Sequence, residues 1–87
     1  MLNYTIPKID SFTEDEKLVI DIIAEFGLDK TKMLEKFSKE FGCSNITVAE
    51  SLYLRIQKKI LDKVSYRGLI DYPTVVNIAN EIIKSSR

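Results

Sequence analysis

Residues 37–52 read FSKEFGCSNITVAESL, and this stretch decides how the chain folds. Two phenylalanines spaced as on one face of a helix are followed by Gly42, where a positive φ is able to end the helix. Ser44 or Asn45 suits the start of the next helix, because its short side chain accepts a hydrogen bond from a free backbone N–H group. The stretch therefore predicts two helices joined by a tight turn.

Apolar residues continue at helical spacing on both sides of this turn and predict four helices in total. Thr13 and Glu16 form a capping box at the start of the first helix, and Asp29 is the expected N-cap of the second. Pro73 suits the first turn of the last helix. The predicted helices cover residues 13–26, 29–41, 44 or 45 to about 64, and roughly 73–85.

These segments predict an all-α fold. We expect a trihelical core over residues 13–64, preceded by an extended arm over residues 1–12 and followed by a connector and a C-terminal helix over residues 65–87. In the third helix, the expected core stripe is Val48, Leu52, Ile56 and Ile60, with Ala49 and Tyr53 beside it. The arm is expected to lie on the core through Leu2, Tyr4, Ile6 and Ile9. The β-branched residues leave short strands open as an alternative at Leu69–Ile70 and Val75–Val76.

The formal charge is zero, since 13 lysine and arginine residues balance 13 aspartate and glutamate residues, but the charges are unevenly distributed. Residues 1–29 hold two lysines and seven acidic residues, whereas residues 30–63 hold eight lysine or arginine residues and four acidic ones. The positive charge therefore coincides with the Gly42 turn and its two helices. Such a localised basic surface is able to neutralise phosphates even in a neutral chain.

The stretch around Gly42 resembles the helix-turn-helix unit of DNA-binding proteins. Gly42 stands at the turn, and Cys43 stands in the small apolar position between the helices. Thr47 and Val48 stand where such units place a polar residue followed by a buried branched one. The resemblance implies that the second helix of the pair lies in the major groove, with its first turns near the base edges.

The wider span of residues 12–56 also resembles a Myb/SANT repeat, with Phe12 and Leu52 in place of two characteristic tryptophans. Its three helices are similar to the core of winged-helix proteins as well. Because SANT-type repeats often bind proteins rather than DNA, both classes of partner stay open.

The first hypothesis is a small transcriptional or plasmid/viral regulator that binds double-stranded DNA. A lysine row on the second helix would contact one phosphate strand, the start of the third helix would approach base edges, and its later cations would hold the flanking backbone. An ordinary solvated helix face is the alternative for the lysine row, and simple helix capping is the alternative for Ser44 and Asn45. The expected DNA-binding residues are Lys32, Lys36, Lys39, Ser44, Asn45, Thr47, Arg55, Lys58 and Lys59.

The second hypothesis is a helical protein–protein interaction module, for example an accessory subunit of a replication or transcription complex. Leu54 and Leu61 fall outside the main apolar stripe of the third helix. The last helix covers them in one interpretation; in the other they form a homodimer interface together with Ile83. The four tyrosines are expected at the rim of the core with their hydroxyl groups in water, although Tyr66 and Arg67 are alternative phosphate contacts.

Several function classes are disfavoured by composition. The chain has no histidine and one cysteine, and it shows no recognised nucleotide-binding or hydrolase motif. We therefore expect no enzyme activity, no metal and no cofactor. We also expect a cytoplasmic protein that does not enter the membrane, since no long apolar run or signal-like start is present. Abundant isoleucine and lysine are typical of AT-rich or thermophilic genomes.

Overall fold

A computed structural model describes residues 4–86, so the expected contact of Leu2 lies outside the described part of the chain. A short 3-10 helix, Ile9–Ser11, precedes four α-helices. No strand occurs within residues 4–86, so the all-α prediction is confirmed and the strand alternative is wrong. The helices are α1 (Glu14–Phe26), α2 (Lys30–Glu40), α3 (Ile46–Lys63) and α4 (Tyr72–Ser85).

Side-chain caps start all four helices. The predicted capping box is present in α1, where the Thr13 hydroxyl accepts from the Glu16 N–H at 3.2 Å and the Glu16 carboxylate accepts from the Thr13 N–H at 2.9 Å. Asn45, rather than Ser44, caps α3. Asp29 caps α2 as predicted, and Asp71 caps α4. Each cap satisfies a backbone N–H that has no partner within the helix.

The core is built around α1, which packs against α2, α3 and α4. The last helix packs mainly against α1, and it also borders α3, where Leu61 faces Val75 and Ile78 of α4 across a small internal space. The expected covering by the last helix therefore holds for Leu61, whereas Leu54 is left 47% exposed. The apolar residues of α1 occupy a wide arc of the helix surface, so α1 is able to pack against three neighbouring helices. Fully buried core side chains include Val19, Ile20, Ile23, Met33, Phe37, Tyr53, Val64, Ile78 and Ile82.

Val48 and Leu61 of α3 differ from their expected burial. Val48 is 46% exposed, and Ala49 instead fills the buried position in the first turn. Leu61, expected outside the core stripe, is 4% exposed and belongs to the core. The physical reason is that Leu61 borders a small internal space together with Ile20 of α1 and Ile78 of α4, so two other helices cover it.

The arm is held along its described part. The Thr5 N–H donates to the Val64 carbonyl at 2.9 Å, and the Tyr4 ring packs edge-on against Tyr66 with 6.1 Å between centroids. Tyr4, Ile6 and Ile9 pack against the core as expected.

Tyr53 departs from the expected rim position. It is 0% exposed, and its hydroxyl has no hydrogen-bond partner among residues 4–86. Its ring meets Phe37 edge-on, with 5.9 Å between centroids. Burial raises the pKa of Tyr53 above its ordinary range, because the charged phenolate would lose its hydration.

Candidate nucleic-acid interface

The outer face of α3 carries a row of polar and basic side chains. Thr47, Ser51, Arg55 and Lys58 are all exposed, and at about 100° per residue they fall within one quadrant of the helix. The opposite side carries the buried residues that hold α3 against α1 and α2. We call these four residues the α3 outer row. The sequence-predicted site residues Thr47, Arg55 and Lys58 are therefore brought together on an accessible surface.

Basic charge on this helix is concentrated in its middle. Lys59 is exposed next to the outer row, and none of Arg55, Lys58 and Lys59 forms an ion pair within residues 4–86. Glu50 and Asp62, also exposed, stand before and after this group. Attraction for an anion is therefore confined to about one and a half turns of helix.

The first turn of α3 is open to solvent. The Asn45 side-chain oxygen accepts from the Val48 N–H at 2.9 Å and is thus occupied in capping. Ser44 and Thr47 are exposed, as the DNA hypothesis requires. Ile46 and Val48 are also exposed, at 50% and 46%, which the sequence pattern did not predict. Ile46 and Val48 both lie in the first turn of α3, where a helix has few neighbours. This position was the only feature of the sequence that could have indicated their exposure.

The lysine row of α2 lies beside α1. Lys32, Lys36 and Lys39 line a shallow depression of about 230 Å³ together with Glu35 and with Phe26 of α1. Lys36 also pairs with Glu40 at 3.1 Å, as the alternative of an ordinary helix face predicts. No α3 residue lines this depression in the described part of the chain. The lysine row is therefore a second candidate contact surface, in addition to the α3 outer row.

An open groove of about 720 Å³ runs between α1 and α4 and reaches Lys36 of α2. Leu18, Ile22 and Ile83 supply its apolar part. Charges of both signs surround these residues, with Asp21, Glu25 and Glu81 opposing Lys36 and Lys84. The groove has no excess positive charge to attract phosphate.

Lys63 is exposed, but its ammonium group makes contacts within the fold. Its ammonium group contacts the Glu16 carboxylate at 2.5 Å and donates to the Ser11 carbonyl at 2.9 Å. It also stands 5.6 Å from the centroid of the Phe12 ring. Burial by itself raises the pKa of Glu16, but the hydrogen bonds from Lys63 and Thr13 outweigh that effect and hold this pKa below its ordinary value. The chain-distant pairing of Glu16 with Lys63 has no signature in the sequence.

The three predicted interface residues have different positions. Leu54 is 47% exposed and remains available to a partner. Leu61 lies in the core, so its assignment to an interface is wrong. Ile83 is half-buried and packs against the core, with one side in the groove between α1 and α4.

The tyrosine hydroxyl groups near the connector have internal partners. Tyr66 donates to the Leu69 carbonyl at 2.6 Å, and Tyr72 donates to the Gly27 carbonyl at 2.9 Å. Arg67 is exposed beside Tyr66. The Tyr66 hydroxyl is thus committed to the turn and is not free to donate to a phosphate.

No family model, curated protein or solved structure matches the chain. Within residues 4–86, no cluster of three or more cysteine and acidic side chains has an arrangement suited to a metal ion. The helices of the described residues are too short or too polar to cross a bilayer.

Proposed function

We propose that this chain binds double-stranded DNA through α3, as a small transcriptional or plasmid/viral regulator. The α3 outer row enters the major groove, Thr47 and Ser51 approach base edges, and Arg55, Lys58 and Lys59 contact phosphates. Ser44 and Asn45 lie at the entry of the helix, where backbone N–H groups also favour phosphate. The helix-turn-helix resemblance of residues 37–52 points to the same helix.

One observation carries the proposal. An 18-residue helix presents hydroxyl and cationic side chains along one solvent-exposed face, while its opposite face is anchored in the core. A major groove of about 12 Å admits one α-helix, and hydroxyl, guanidinium and ammonium groups donate to the acceptors on base edges and phosphates. A rigidly backed helix loses little conformational entropy on binding.

Salt dependence of binding to random-sequence duplex DNA tests the proposal. Each neutralised phosphate contributes about −0.9 to the slope of log affinity against log salt, so the three α3 cations predict a slope of roughly −3. Engagement of the α2 lysine row as well would steepen the slope to roughly −5. The slope thus reports which surface contacts DNA.

Two matched double variants locate the contact. Arg55→Ala with Lys58→Ala should lower affinity at least tenfold at ~50 mM salt, because two phosphate contacts are lost. Lys32→Ala with Lys39→Ala removes the same charge from α2 and should change affinity much less. Absence of wild-type binding at ~50 mM salt would refute the proposal, and equal losses in both variants would refute the assignment to α3.

The second candidate function is the protein–protein interaction module, which the exposure of Leu54 favours. Leu54 lies next to Arg55 on α3, so a partner with an apolar site and an acidic rim would fit this surface. A homodimer through Leu54 belongs to the same class. Leu54→Asp should abolish such binding without unfolding the chain, because the residue is half in solvent.

Measurement of the molecular mass by sedimentation distinguishes a homodimer from binding to a different protein. A wild-type dimer that becomes a monomer in Leu54→Asp supports self-association. A wild-type monomer, or an unchanged mass in the variant, excludes a homodimer through Leu54. DNA affinity is compared in Leu54→Ala, which adds no charge to the outer row, and affinity that survives there separates the DNA function from the protein interaction.

A further inference from the structure

The exposed apolar residues at the start of α3 lie where base-reading side chains are expected. Ile46 is 50% exposed and Val48 is 46% exposed, and exposed Thr47 stands between them. Val48 shares a row with Ser51 and Arg55 at i, i+3 and i+7, so it borders the proposed contact surface directly. Ile46 lies about 200° around the helix axis from Val48, so of these two exposed apolar residues only Val48 borders the α3 outer row.

This turn lacks the side chains that distinguish most base pairs. No Arg, Lys or Gln occurs in residues 44–49, and the Asn45 amide oxygen is held by the Val48 N–H at 2.9 Å. Guanine and cytosine present only polar groups in the major groove, whereas thymine also presents its C5 methyl group. An apolar side chain at a base edge is thus favourable only against thymine, because elsewhere it would strip water from a polar group without replacing it.

We propose that Val48 makes this chain selective for thymine methyl groups, so that the DNA it prefers is rich in A·T pairs read from the major groove. The inference rests on the proposed insertion of α3. Thr47 carries both a methyl and a hydroxyl group, so it is able to lie against a methyl group or a polar base edge. Val48 is the specificity-determining residue, while the cations of α3 supply affinity that is independent of sequence.

Replacement of thymine by uracil removes the methyl group alone and tests the inference. Affinity is measured at one fixed salt concentration for an alternating adenine–thymine duplex and for the same duplex with uracil in place of thymine. Wild-type protein should bind the uracil duplex roughly fourfold more weakly per methyl contact, the effect of one buried methyl group. Val48→Ala should reduce this ratio toward one.

Ile46→Ala is the matched control, since it removes an equally exposed apolar side chain from the same turn, about 200° around the helix from Val48. It should retain the wild-type ratio, and circular dichroism should show that both variants keep their helices. Equal wild-type affinity for both duplexes overturns the inference and leaves DNA binding intact. A ratio that persists in Val48→Ala, or one that falls equally in Ile46→Ala, also overturns it, whereas failure to bind either duplex overturns the proposed function itself.

Discussion

The two ends of α3 share one sequence pattern but differ in burial. Val48, at the start of the four-residue repeat, is 46% exposed, whereas Ile60, at its end, is 5% exposed. Leu54 and Leu61 show the same change outside that repeat, at 47% and 4%. Corresponding apolar positions are therefore exposed towards the start of α3 and buried towards its end.

The difference shows that helical periodicity reports which residues share a face, not how far neighbours cover that face. At the last turn, Lys63 is joined to Glu16 of α1, and Val64 accepts a hydrogen bond from Thr5 of the arm. At the first turn, only Ala49 is buried. A helix anchored at one end and open at the other suits binding, because the anchored end fixes the direction of the open end.

Replacement of Leu61 or Leu54 by alanine should give the largest difference in the free energy of unfolding. Leu61→Ala is expected to lower the free energy of unfolding by about 3 kcal/mol, because it leaves a cavity in the core. Leu54→Ala should change it by less than about 0.5 kcal/mol, as is usual for exposed positions. Urea unfolding of both variants measures this difference. Similar losses of stability at the two positions would contradict the different burial of Leu54 and Leu61.

Removal of the ammonium group at the anchored end should have the next largest effect. Lys63→Ala is expected to cost about 2 kcal/mol, because it leaves the buried Glu16 carboxylate without its charged partner. Lys59→Ala, which removes an exposed lysine one turn earlier, is the control and should cost less than about 0.5 kcal/mol. Equal effects on chemical unfolding would show that the ion pair does not anchor α3.

Low pH should weaken the ion pair between Lys63 and Glu16. The folded-state pKa of Glu16 lies below its ordinary value, so the carboxylate contributes stability that is fully present above the ordinary glutamate range. That contribution is lost as the pH falls through the folded-state pKa. Unfolding free energy measured from pH 7 downwards should therefore decrease, and Glu16→Gln should show a shallower decrease over the same range. Parallel curves for the two proteins would be evidence against a pKa shift of Glu16.

The smallest expected effect is at Tyr53, in the middle of α3. Tyr53→Phe should raise the free energy of unfolding by about 1 kcal/mol, since the hydroxyl is buried without a partner among residues 4–86. Thermal unfolding measures the gain, with Tyr66→Phe as the control because that hydroxyl donates to Leu69. A loss of stability in Tyr53→Phe would indicate that the hydroxyl is hydrogen-bonded in solution.

Local features of the fold were accessible from the sequence. The capping box of Thr13 and Glu16, the caps at Asp29 and Asn45 and the helix-ending turn at Gly42 are all present. Such features depend on residues three or four positions apart, so their physics is contained in a short stretch. The exposure of Ser44, Thr47, Arg55 and Lys58 was predictable for the same reason, because polar residues on one helical face seldom enter a core.

The relations between distant segments were not accessible in this way. The packing of α4 on α1, the pairing of Lys63 with Glu16 and the burial of Leu61 all join residues far apart in the chain. These outcomes follow from the shapes of the packed surfaces as a whole.

The sequence by itself determined the all-α class, the number of helices and the polar composition of the α3 outer row, because local hydrogen bonding and periodicity govern each of these. Only the tertiary structure decided which end of α3 is open, which lysines remain free and where Ile46 and Val48 meet solvent. The physical reason is coverage: a side chain is buried when neighbouring elements pack over it, and those elements come from distant parts of the chain.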